Sequence, residues 1–560
     1  MGRRSVQFAG VVALALITIA FSAAPAFAHA NLDKTDPADG SSVATSPGQV
    51  TLTFSESVAL EPNSVGIFTC DGHRVSASEP THGASSKEVV NALPRLADGV
   101  YLVLWRVVSA DSHPVQGTFA FAVGSGVTPD LNACKTATIK SSSTVGVVYG
   151  ITRALLFIGL ALLIGGGFFY ALIARGTSSE RRIRVLLWAG LVTIVVATAL
   201  GVMLQGPYAA GTGIGDMLSS TRISDTFGTR YGHIAEFRLG LAVVALLLLI
   251  VLASTEGGAA RSRWWLASGG AIAILLAATP GLAGHASTGD HTGFAIPLDT
   301  LHVVAMSIWF GGLAALLLSA LGGGWSGGLR HALTTFSRIA FWSVIVLVGS
   351  GIFASWRQVG FTLDGYTGTS YGHILLVKLG IFVSLFALAA WSRSIVRRRD
   401  AAPLDAEDTT IAAIDDRTVT ELRRSVGAEV LFAIGVLAAT ALLVNAVPAR
   451  SALAPKVFSK TISVPGKMQV TVTVDPAKSG INQMHVFTLT PKGAALTVSR
   501  IEATLSRGDQ TLPANLHRVD ANHFLNNRVI IPSSGTWTVT VQVKQGEFDS
   551  TPVVTKVRIR

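Results

Sequence analysis

The stretch from Ser109 to Val123, SADSHPVQGTFAFAV, holds an acid and an imidazole that are spaced to bind a metal ion. Asp111 and His113 lie two residues apart, so in an extended segment both side chains point to the same face. A loop that brings His29 alongside would add two nitrogens, its ring nitrogen and, if it is the amino terminus, its α-amine. Together with His113 and Asp111 these make a set of three nitrogens and one oxygen, which suits tetragonal Cu(II). The spacing by itself leaves a second interpretation open, since an isolated Asp-x-His pair also occurs in ordinary surface turns.

Residues 1–28 have the pattern of a secretory signal peptide. Arg3 and Arg4 give a positive start, an apolar run follows, and Ala26-Phe27-Ala28 is a cleavage signal of the A-x-A type. Cleavage there leaves His29 as the amino terminus, which then offers its α-amine and a ring nitrogen to the same ion. In the alternative interpretation the segment is an uncleaved anchor and His29 is an ordinary loop residue.

The composition is that of a membrane protein. Of the 560 residues, 49% are hydrophobic and only 14% are charged, which argues against an ordinary soluble chain. The net charge of +11 would suit a nucleic acid, but much of the basic excess lies in short segments beside apolar runs. That distribution follows the positive-inside rule. We therefore expect a multi-pass protein of the inner cell membrane, in contact with the lipid bilayer and not with nucleic acid.

Residues 29–135 have the short alternating apolar runs of a small all-β sandwich. The runs lie at 50–54, 65–68, 101–108 and 118–123, and Asp-Gly turn signals occur along the segment. The two cysteines of the chain, Cys70 and Cys134, both fall in this segment. In an exported domain they are expected to form one disulfide, with two buried free thiols as the alternative.

Three stretches of this domain resemble the periplasmic copper-binding protein CopC family. They are His29-Ala-Asn-Leu, Thr53-Phe-Ser-Glu56 and the run from Trp105 to Phe119. The resemblance implies that the terminal histidine and the Asp-x-His pair, here His29, Asp111 and His113, bind Cu(II). No methionine occurs between Met1 and Met203. The methionine-rich Cu(I) site of that family is therefore expected to be missing.

Residues 145–448 are predicted to form an α-helical membrane domain. Eight apolar segments have spanning length, at 146–173, 185–206, 234–254, 264–284, 297–321, 337–356, 373–393 and 425–447. Arginines concentrate in alternate loops, whereas the other loops carry only Arg222, Arg230 and Arg357. This asymmetry predicts that both termini, and hence both flanking domains, lie outside the cytoplasm.

A ten-residue motif recurs within the membrane domain. Tyr231 to Gly240, YGHIAEFRLG, returns as Tyr371 to Gly380, YGHILLVKLG, and the two copies open the third and seventh apolar segments. The domain is therefore predicted to contain two four-helix halves in parallel orientation, as in some transporters. His233 and His373 lie near the outer ends of these helices. Two interpretations of these histidines are open: they line a symmetric entrance for copper, or they extend towards the lipid headgroups.

The fifth apolar segment carries a stripe of side chains with metal-binding chemistry. Asp299, His302, Met306 and Trp309 follow helical spacing and share one face. Ionisable residues inside a membrane are costly and therefore candidates for function. We expect the stripe to pass copper along, with the Met306 sulfur favouring Cu(I). In the alternative, Asp299 lies in the interface, His302 pairs with a neighbouring helix and Met306 is core. The loop histidines His285 and His291 precede the segment as further relay candidates.

The second half of this domain resembles the copper resistance protein CopD family. The resemblance rests on Leu301 to Leu313, Tyr371 to Lys378 and Leu422 to Ser425. Where that family often has Asn-Arg at the end of the seventh helix, this chain has Ser392-Arg393. Fusion of CopC to CopD is a known arrangement, and the resemblance implies inner-membrane copper uptake or handling.

Residues 455–560 return to alternating apolar runs, which predict a second extracytoplasmic all-β sandwich. The segment from Asp475 to Asn482 and Gly535-Thr-Trp537 resemble the YtkA-like domains found on such fusions. The side chains here that could bind copper are Met468, Met484, His485, His517 and His523. Scattered at strand-like spacing, side chains of these types are more often packing and surface residues than ligands.

Copper uptake is the leading functional hypothesis. The outer domain captures Cu(II), and the membrane domain moves copper toward the cytosol. The nearest alternative is copper resistance through extracytoplasmic sequestration. An alternative of another class is a copper-dependent redox enzyme at His29 and His113, but Asp111 would occupy a position that oxygen activation needs open. We therefore predict a protein that is not an enzyme, with copper ions as cargo and an oligomeric state that the sequence leaves open.

Overall fold

The computed structural model describes residues 30–75, 78–124, 143–174, 180–254, 263–289, 291–320, 329–400, 416–453, 458–491, 495–546 and 549–560. By its contacts the chain divides into two compact units. A helical unit contains Ser141–Ala452 together with the short loop Ala110–His113. A β unit contains Ala30–Ser109, Pro114–Lys140 and Leu453–Arg560.

The helical unit contains, within the described ranges, eight helices that are long and apolar enough to cross a membrane. Their number confirms the eight predicted segments. They are α1 (Thr144–Ala174), α2 (Glu180–Ala210), α3 (Arg230–Ser254), α4 (Arg263–Ala283), α5 (Thr292–Ser319), α6 (His331–Gln358), α7 (Ser370–Ser394) and α8 (Val419–Ala452). Long apolar sequences form helices in a bilayer because a helix satisfies its own backbone hydrogen bonds.

Helices α3 and α7 begin with the same local structure. A short helix precedes each, Ser220–Phe227 before α3 and Leu363–Thr367 before α7. At the start of α3, Thr229 accepts a hydrogen bond from the amide of Gly232, and at the start of α7 Thr369 accepts one from the amide of Gly372. This agreement supports the predicted parallel repeat of two halves, which stays a prediction.

The core of the helical unit is tightest where α1 meets α5. Glycines on both helices allow the backbones to touch, because a Cβ atom at Gly165 would overlap the carbonyl of Ser307 and one at Gly311 would overlap that of Ala161. Small residues at helix contacts are the usual means of close packing in membranes. Trp309 is fully buried beside this contact and belongs to the same apolar cluster.

The amino-terminal part of the β unit is a two-sheet sandwich, as predicted. One sheet has the strand order β1-β3-β7-β6, and the other has β2-β9-β8-β4 with β5 also paired to β8. Alternating burial along β3 and continuous burial along much of β8 place the apolar core between the sheets. The strands are β1 (Leu32–Asp36), β2 (Ser42–Val43), β3 (Gln49–Phe54), β4 (Val58–Ala59), β5 (Val65–Thr69), β6 (Thr81–His82), β7 (Glu88–Ala92), β8 (Gly99–Ser109) and β9 (Pro114–Val123).

The carboxy-terminal part of the β unit is a second antiparallel sandwich. Its sheets have the orders β10-β11-β12-β16-β15 and β14-β13-β17-β18, and their inner faces enclose one apolar cluster around Trp537. The strands are β10 (Phe458–Val464), β11 (Met468–Asp475), β12 (Gly480–Leu489), β13 (Arg500–Arg507), β14 (Gln510–Pro513), β15 (His517–Asp520), β16 (His523–Ile531), β17 (Gly535–Lys544) and β18 (Ser550–Ile559).

Cys70 follows β5 and is disulfide-bonded. Its predicted partner, Cys134, lies outside the described residues, as do the predicted signal peptide and His29. The pairing of Cys70 with Cys134 and the predicted domain boundaries therefore stay predictions.

Candidate metal centre

The predicted ligands Asp111 and His113 lie in the turn between β8 and β9. These strands pair from Gly99 opposite Val123 to Val108 opposite Pro114. Beyond the last pair the chain reverses through Ser112, which has a positive φ of 69°. The backbone amide of His113 donates to Asp111 Oδ1 over 3.2 Å. The extended segment expected from the spacing is therefore wrong, and a turn brings the acid and the imidazole together instead.

A third potential ligand, His285, completes a cluster with these two side chains. Asp111 Oδ2 lies 2.7 Å from His285 Nδ1, and Asp111 Oδ1 lies 3.3 Å from His113 Nδ1. The two imidazole rings stack with centroids 4.6 Å apart and planes inclined by 17°. One ligand atom from each residue lies within 4.8 Å of the others, so a single ion fits between them after small side-chain shifts. Two nitrogens and a carboxylate oxygen suit Cu(II) or Zn(II).

The cluster is almost completely removed from solvent. Asp111 is 0% and His113 is 2% exposed. Burial lowers the pKa of His113 to about 4, although the adjacent Asp111 carboxylate acts in the opposite direction. His113 is therefore a neutral imidazole near pH 7, the form that binds a metal ion.

The far side of His113 faces a cation. His113 Nε2 lies 2.5 Å from the carbonyl oxygen of Val444 and 3.1 Å from Arg153 Nη1. Arg153 also donates to Asn445 Oδ1 over 2.6 Å, and its guanidinium lies 4.5 Å from the centre of the Tyr149 ring. A guanidinium at this distance opposes the binding of a positive ion and lowers the affinity of the cluster.

The turn itself is tied down by polar side chains of α1 and α2. Gln205 Nε2 donates to the backbone oxygen of Ser112 over 3.1 Å, and the hydroxyl of Tyr149 donates to Gln205 Oε1. Gln205 and Tyr149 are both buried. These bonds hold the loop in the shape that directs Asp111 and His113 towards His285.

His285 is positioned by the connection between α4 and α5. It opens a short 3-10 turn, His285–Ser287, and Arg357 of α6 donates to the backbone oxygens of His285 and Thr288 over 3.4 and 2.6 Å. Sequence reasoning named His285 as a loop relay and not as a partner of Asp111, because a separation of 174 residues hides the contact. His291, the other relay candidate, is exposed.

The predicted ligand His29 lies outside the described residues, whereas its neighbour Ala30 is described. The amide of Ala30 donates to Ser109 Oγ over 3.3 Å, and Ala30 is buried. Ser109 precedes Asp111 by two residues in the sequence. The involvement of His29 stays a prediction that this hydrogen bond favours.

The stripe on α5 points into the helical unit. Met306 and Trp309 are buried in its core, whereas Asp299 and His302 are partly buried. His302 Nδ1 lies 2.8 Å from Ser350 Oγ of α6. Lys378 of α7 is the strongest charge acting on Asp299, followed by His285 and Arg357. His302 thus pairs with a neighbouring helix and Met306 packs in the core, as the alternative interpretation of the stripe expects. The role of the stripe in transport stays a prediction.

The repeat histidines of α3 and α7 lie on the outside of the helical unit. His233 and His373 are both exposed, and His373 Nε2 lies 2.8 Å from the carbonyl oxygen of Thr367. Both side chains therefore lie away from the buried core of the described helices. Their positions favour the interpretation in which they reach towards the headgroups.

The candidate ligands of the carboxy-terminal sandwich separate into three groups. Met468 and Met484 are 0% exposed and pack in the core, whereas His517 is exposed. His485 and His523 lie together, with 3.1 Å between His485 Nδ1 and His523 Nε2. Burial and, to a smaller extent, nearby His485 lower the pKa of His523 to about 4, against the effect of Asp520. Burial also lowers the pKa of His485, against the effect of Asp475.

Comparison with known protein families covers most of the chain in three pieces. The model described as CopC domain matches residues 32–124. The model described as Copper resistance protein D-like, N-terminal domain, matches residues 143–295. The model described as Copper resistance protein D matches residues 330–443.

Individual relatives agree with these matches. Copper transport protein CutJ of Bacillus subtilis (strain 168) is 25% identical over 549 residues, which are 95% of this chain and 96% of that protein. Copper resistance protein C of Escherichia coli is 33% identical over 114 residues, 19% of this chain and 86% of that protein. The solved structure of CopC from Methylosinus trichosporium OB3b is 33% identical and covers 17% of this chain and 94% of its own, with a TM-score of 0.16.

Eight helices of spanning length, two β sandwiches and a buried acid–histidine cluster define a multi-pass membrane protein of metal handling. The chain belongs to the copper resistance family in which a CopC domain and a CopD membrane domain are joined in one protein. The matched relatives are named for copper transport or copper resistance and not for an enzymatic reaction.

Proposed function

We propose that this protein takes up copper, receiving Cu(II) at the outer face and moving it toward the cytosol. The observation that carries the proposal is the contact of His285 with Asp111, since it joins the β8–β9 turn to the connection that leads into α5. An ion held by Asp111 and His113 needs no diffusion step to acquire His285 as a ligand. The similarity to a protein named for copper transport extends over nearly the whole length of both chains, and it supports the same conclusion.

The cluster is suited to passing an ion on. Two imidazoles and a carboxylate in a buried site bind Cu(II) more strongly than the other divalent ions that such a set accepts. The guanidinium of Arg153, 3.1 Å from His113 Nε2, weakens the hold on a cation. A site that selects an ion but binds it moderately releases it readily, which transport requires.

The next candidate ligands on the proposed route lie on α5. His285 is among the charges that act on Asp299, which places the carboxylate within electrostatic reach of the cluster. From Asp299 the stripe continues through His302 to Met306, one helical turn at a time. The ligand type changes from oxygen and imidazole to thioether along this route. The donors therefore become softer along the route, while the copper keeps its charge unless an external reductant supplies an electron.

Copper accumulation in cells that express single variants tests the proposal. His285→Ala removes one of three ligands, and we expect copper uptake under copper limitation to fall by about tenfold or more, the usual consequence of losing a metal ligand or its orienting partner. His291→Ala is the matched control, because His291 is an exposed histidine of the same connection. It should accumulate copper like the wild type. His302→Ala reports separately on the stripe.

Three results would contradict parts of the proposal. Wild-type accumulation by His285→Ala at equal protein levels would remove the cluster from the route, and the same result for His302→Ala would reduce the stripe to packing. A deletion strain that becomes copper-sensitive while its copper content rises would favour resistance by sequestration, which the name of the relative Copper resistance protein C makes the specific rival.

A further inference from the structure

We propose that His485 and His523 form a second metal site, on the carboxy-terminal sandwich, for a divalent ion that prefers imidazole. The inference is independent of the proposed transport function, because it rests on side chains of the carboxy-terminal sandwich alone. The two residues are 38 positions apart in sequence. Pairing of these strands makes them neighbours.

The strand register places both histidines on one face of the sheet. His485 lies opposite Leu525 and His523 lies opposite Phe487, so the two histidines are diagonal neighbours. The alternate residues Met484 and Val486 are 0% exposed and fill the core. The histidines therefore occupy the opposite face, where both are half-buried. An ion can reach them from solvent.

The distance between the two ring nitrogens fits a shared ion. Nitrogens bound at about 2.0–2.1 Å lie about 2.9 Å apart at a right angle and about 3.4 Å apart at a tetrahedral angle. His485 Nδ1 and His523 Nε2 are 3.1 Å apart, between these values. Linear two-coordinate binding, the preference of Cu(I), would need about 4 Å, so the pair fits a divalent ion better.

The surroundings hold the rings in place. The planes of His485 and His523 are inclined by only 8°, and the ring of Phe487 stacks on His523 with centroids 4.2 Å apart. The carboxylates of Asp475 and Asp520 act electrostatically on His485 and His523 respectively. Two flanking negative charges favour the binding of a cation by the pair. Without an ion one ring nitrogen donates a hydrogen bond to the other, and an ion would replace that proton.

Copper counting on the full-length protein in detergent tests the site. The parent protein carries no affinity tag and has the substitution His113→Ala, so that the cluster of Asp111, His113 and His285 binds little copper. Equilibrium dialysis against Cu(II) should give one bound ion fewer for His485→Ala and for His523→Ala than for this parent. His517→Ala is the matched control, since His517 is an exposed histidine of β15 in the same sheet. It should bind as many ions as the parent.

A labelling experiment on the wild-type protein avoids any effect of the substitutions on folding. Diethyl pyrocarbonate modifies accessible imidazoles, and mass spectrometry locates the products. Cu(II) should protect His485 and His523 at least fivefold and leave His517 reactive. Unchanged stoichiometry in both variants, or equal labelling of all three histidines with and without Cu(II), would overturn the second site and leave the transport proposal untouched.

Discussion

The backbone conformation of Ser112 determines how the two candidate ligands of the β8–β9 turn, Asp111 and His113, are oriented. Its φ of 69° lies in the left-handed region, which costs an L-residue about 1–2 kcal/mol and a β-branched one more. Ser112→Gly should keep the Cu(II) affinity of the full-length protein, because glycine adopts this conformation freely. Ser112→Val should weaken the affinity by about tenfold, which corresponds to about 1.4 kcal/mol. Competition with a chelator of known affinity measures both, and equal affinities would show that the turn does not position the ligands.

At the scale of single residues, the sequence predicts candidate ligands that are close along the chain and misses candidates that are distant along it. Asp111 and His113 are recognisable because the motif that holds them is local. His285 belongs to the same cluster, but nothing in its neighbourhood distinguishes it from the exposed His291. The pairing of His485 with His523 likewise depends on the register between β12 and β16. The spacing of residues along the sequence does not reveal long-range contacts of this kind.

The contact between α1 and α5 is set by backbone proximity. Gly311→Ala would drive a Cβ atom into the carbonyl of Ala161, with no side chain able to move aside. We expect a loss of roughly 1–3 kcal/mol or more in stability, as for other overpacked cores. Gly240→Ala on α3 is the matched control, since a Cβ atom there meets nothing within 4 Å. It should be neutral or slightly stabilising. Thermal unfolding in detergent compares the two, and equal midpoints would contradict the close contact.

Elements were predictable in proportion to the strength of their periodic pattern. The eight spanning helices of the described ranges follow from apolar length. Strands β3, β11 and β17 follow from alternation, and β8 follows from a short and nearly continuous apolar run. Strand β1, Leu-Asp-Lys-Thr-Asp, was missed because four of its five residues are polar. It forms because β3 supplies an edge with which it pairs.

For the whole molecule, the charges at the helix ends determine orientation. Arg181, Arg182 and Arg184 lie at the start of α2, Arg263 at the start of α4, and Arg423 and Arg424 near the start of α8. Arg182 also donates to the carbonyl of Leu318 near the end of α5, so the start of α2 and the end of α5 share one side. If that side is cytoplasmic, the region before α1 and the region after α8 both lie outside.

Reporter fusions test this orientation. Alkaline phosphatase, which folds only outside the cytoplasm, should be active when fused after Arg560 and inactive when fused after Arg182. Green fluorescent protein should give the reverse pattern, because it fluoresces only when folded inside, so each fusion point carries its own control. Replacing the three arginines at the start of α2 by glutamine should weaken the preference for one orientation, so that the two fusion points differ less in reporter activity. Lys and Arg set the orientation, whereas acidic residues contribute little. A fluorescent fusion after Arg560 would place the carboxy-terminal sandwich inside the cell. The proposed histidine pair would then face the cytosol, where it could not meet incoming Cu(II).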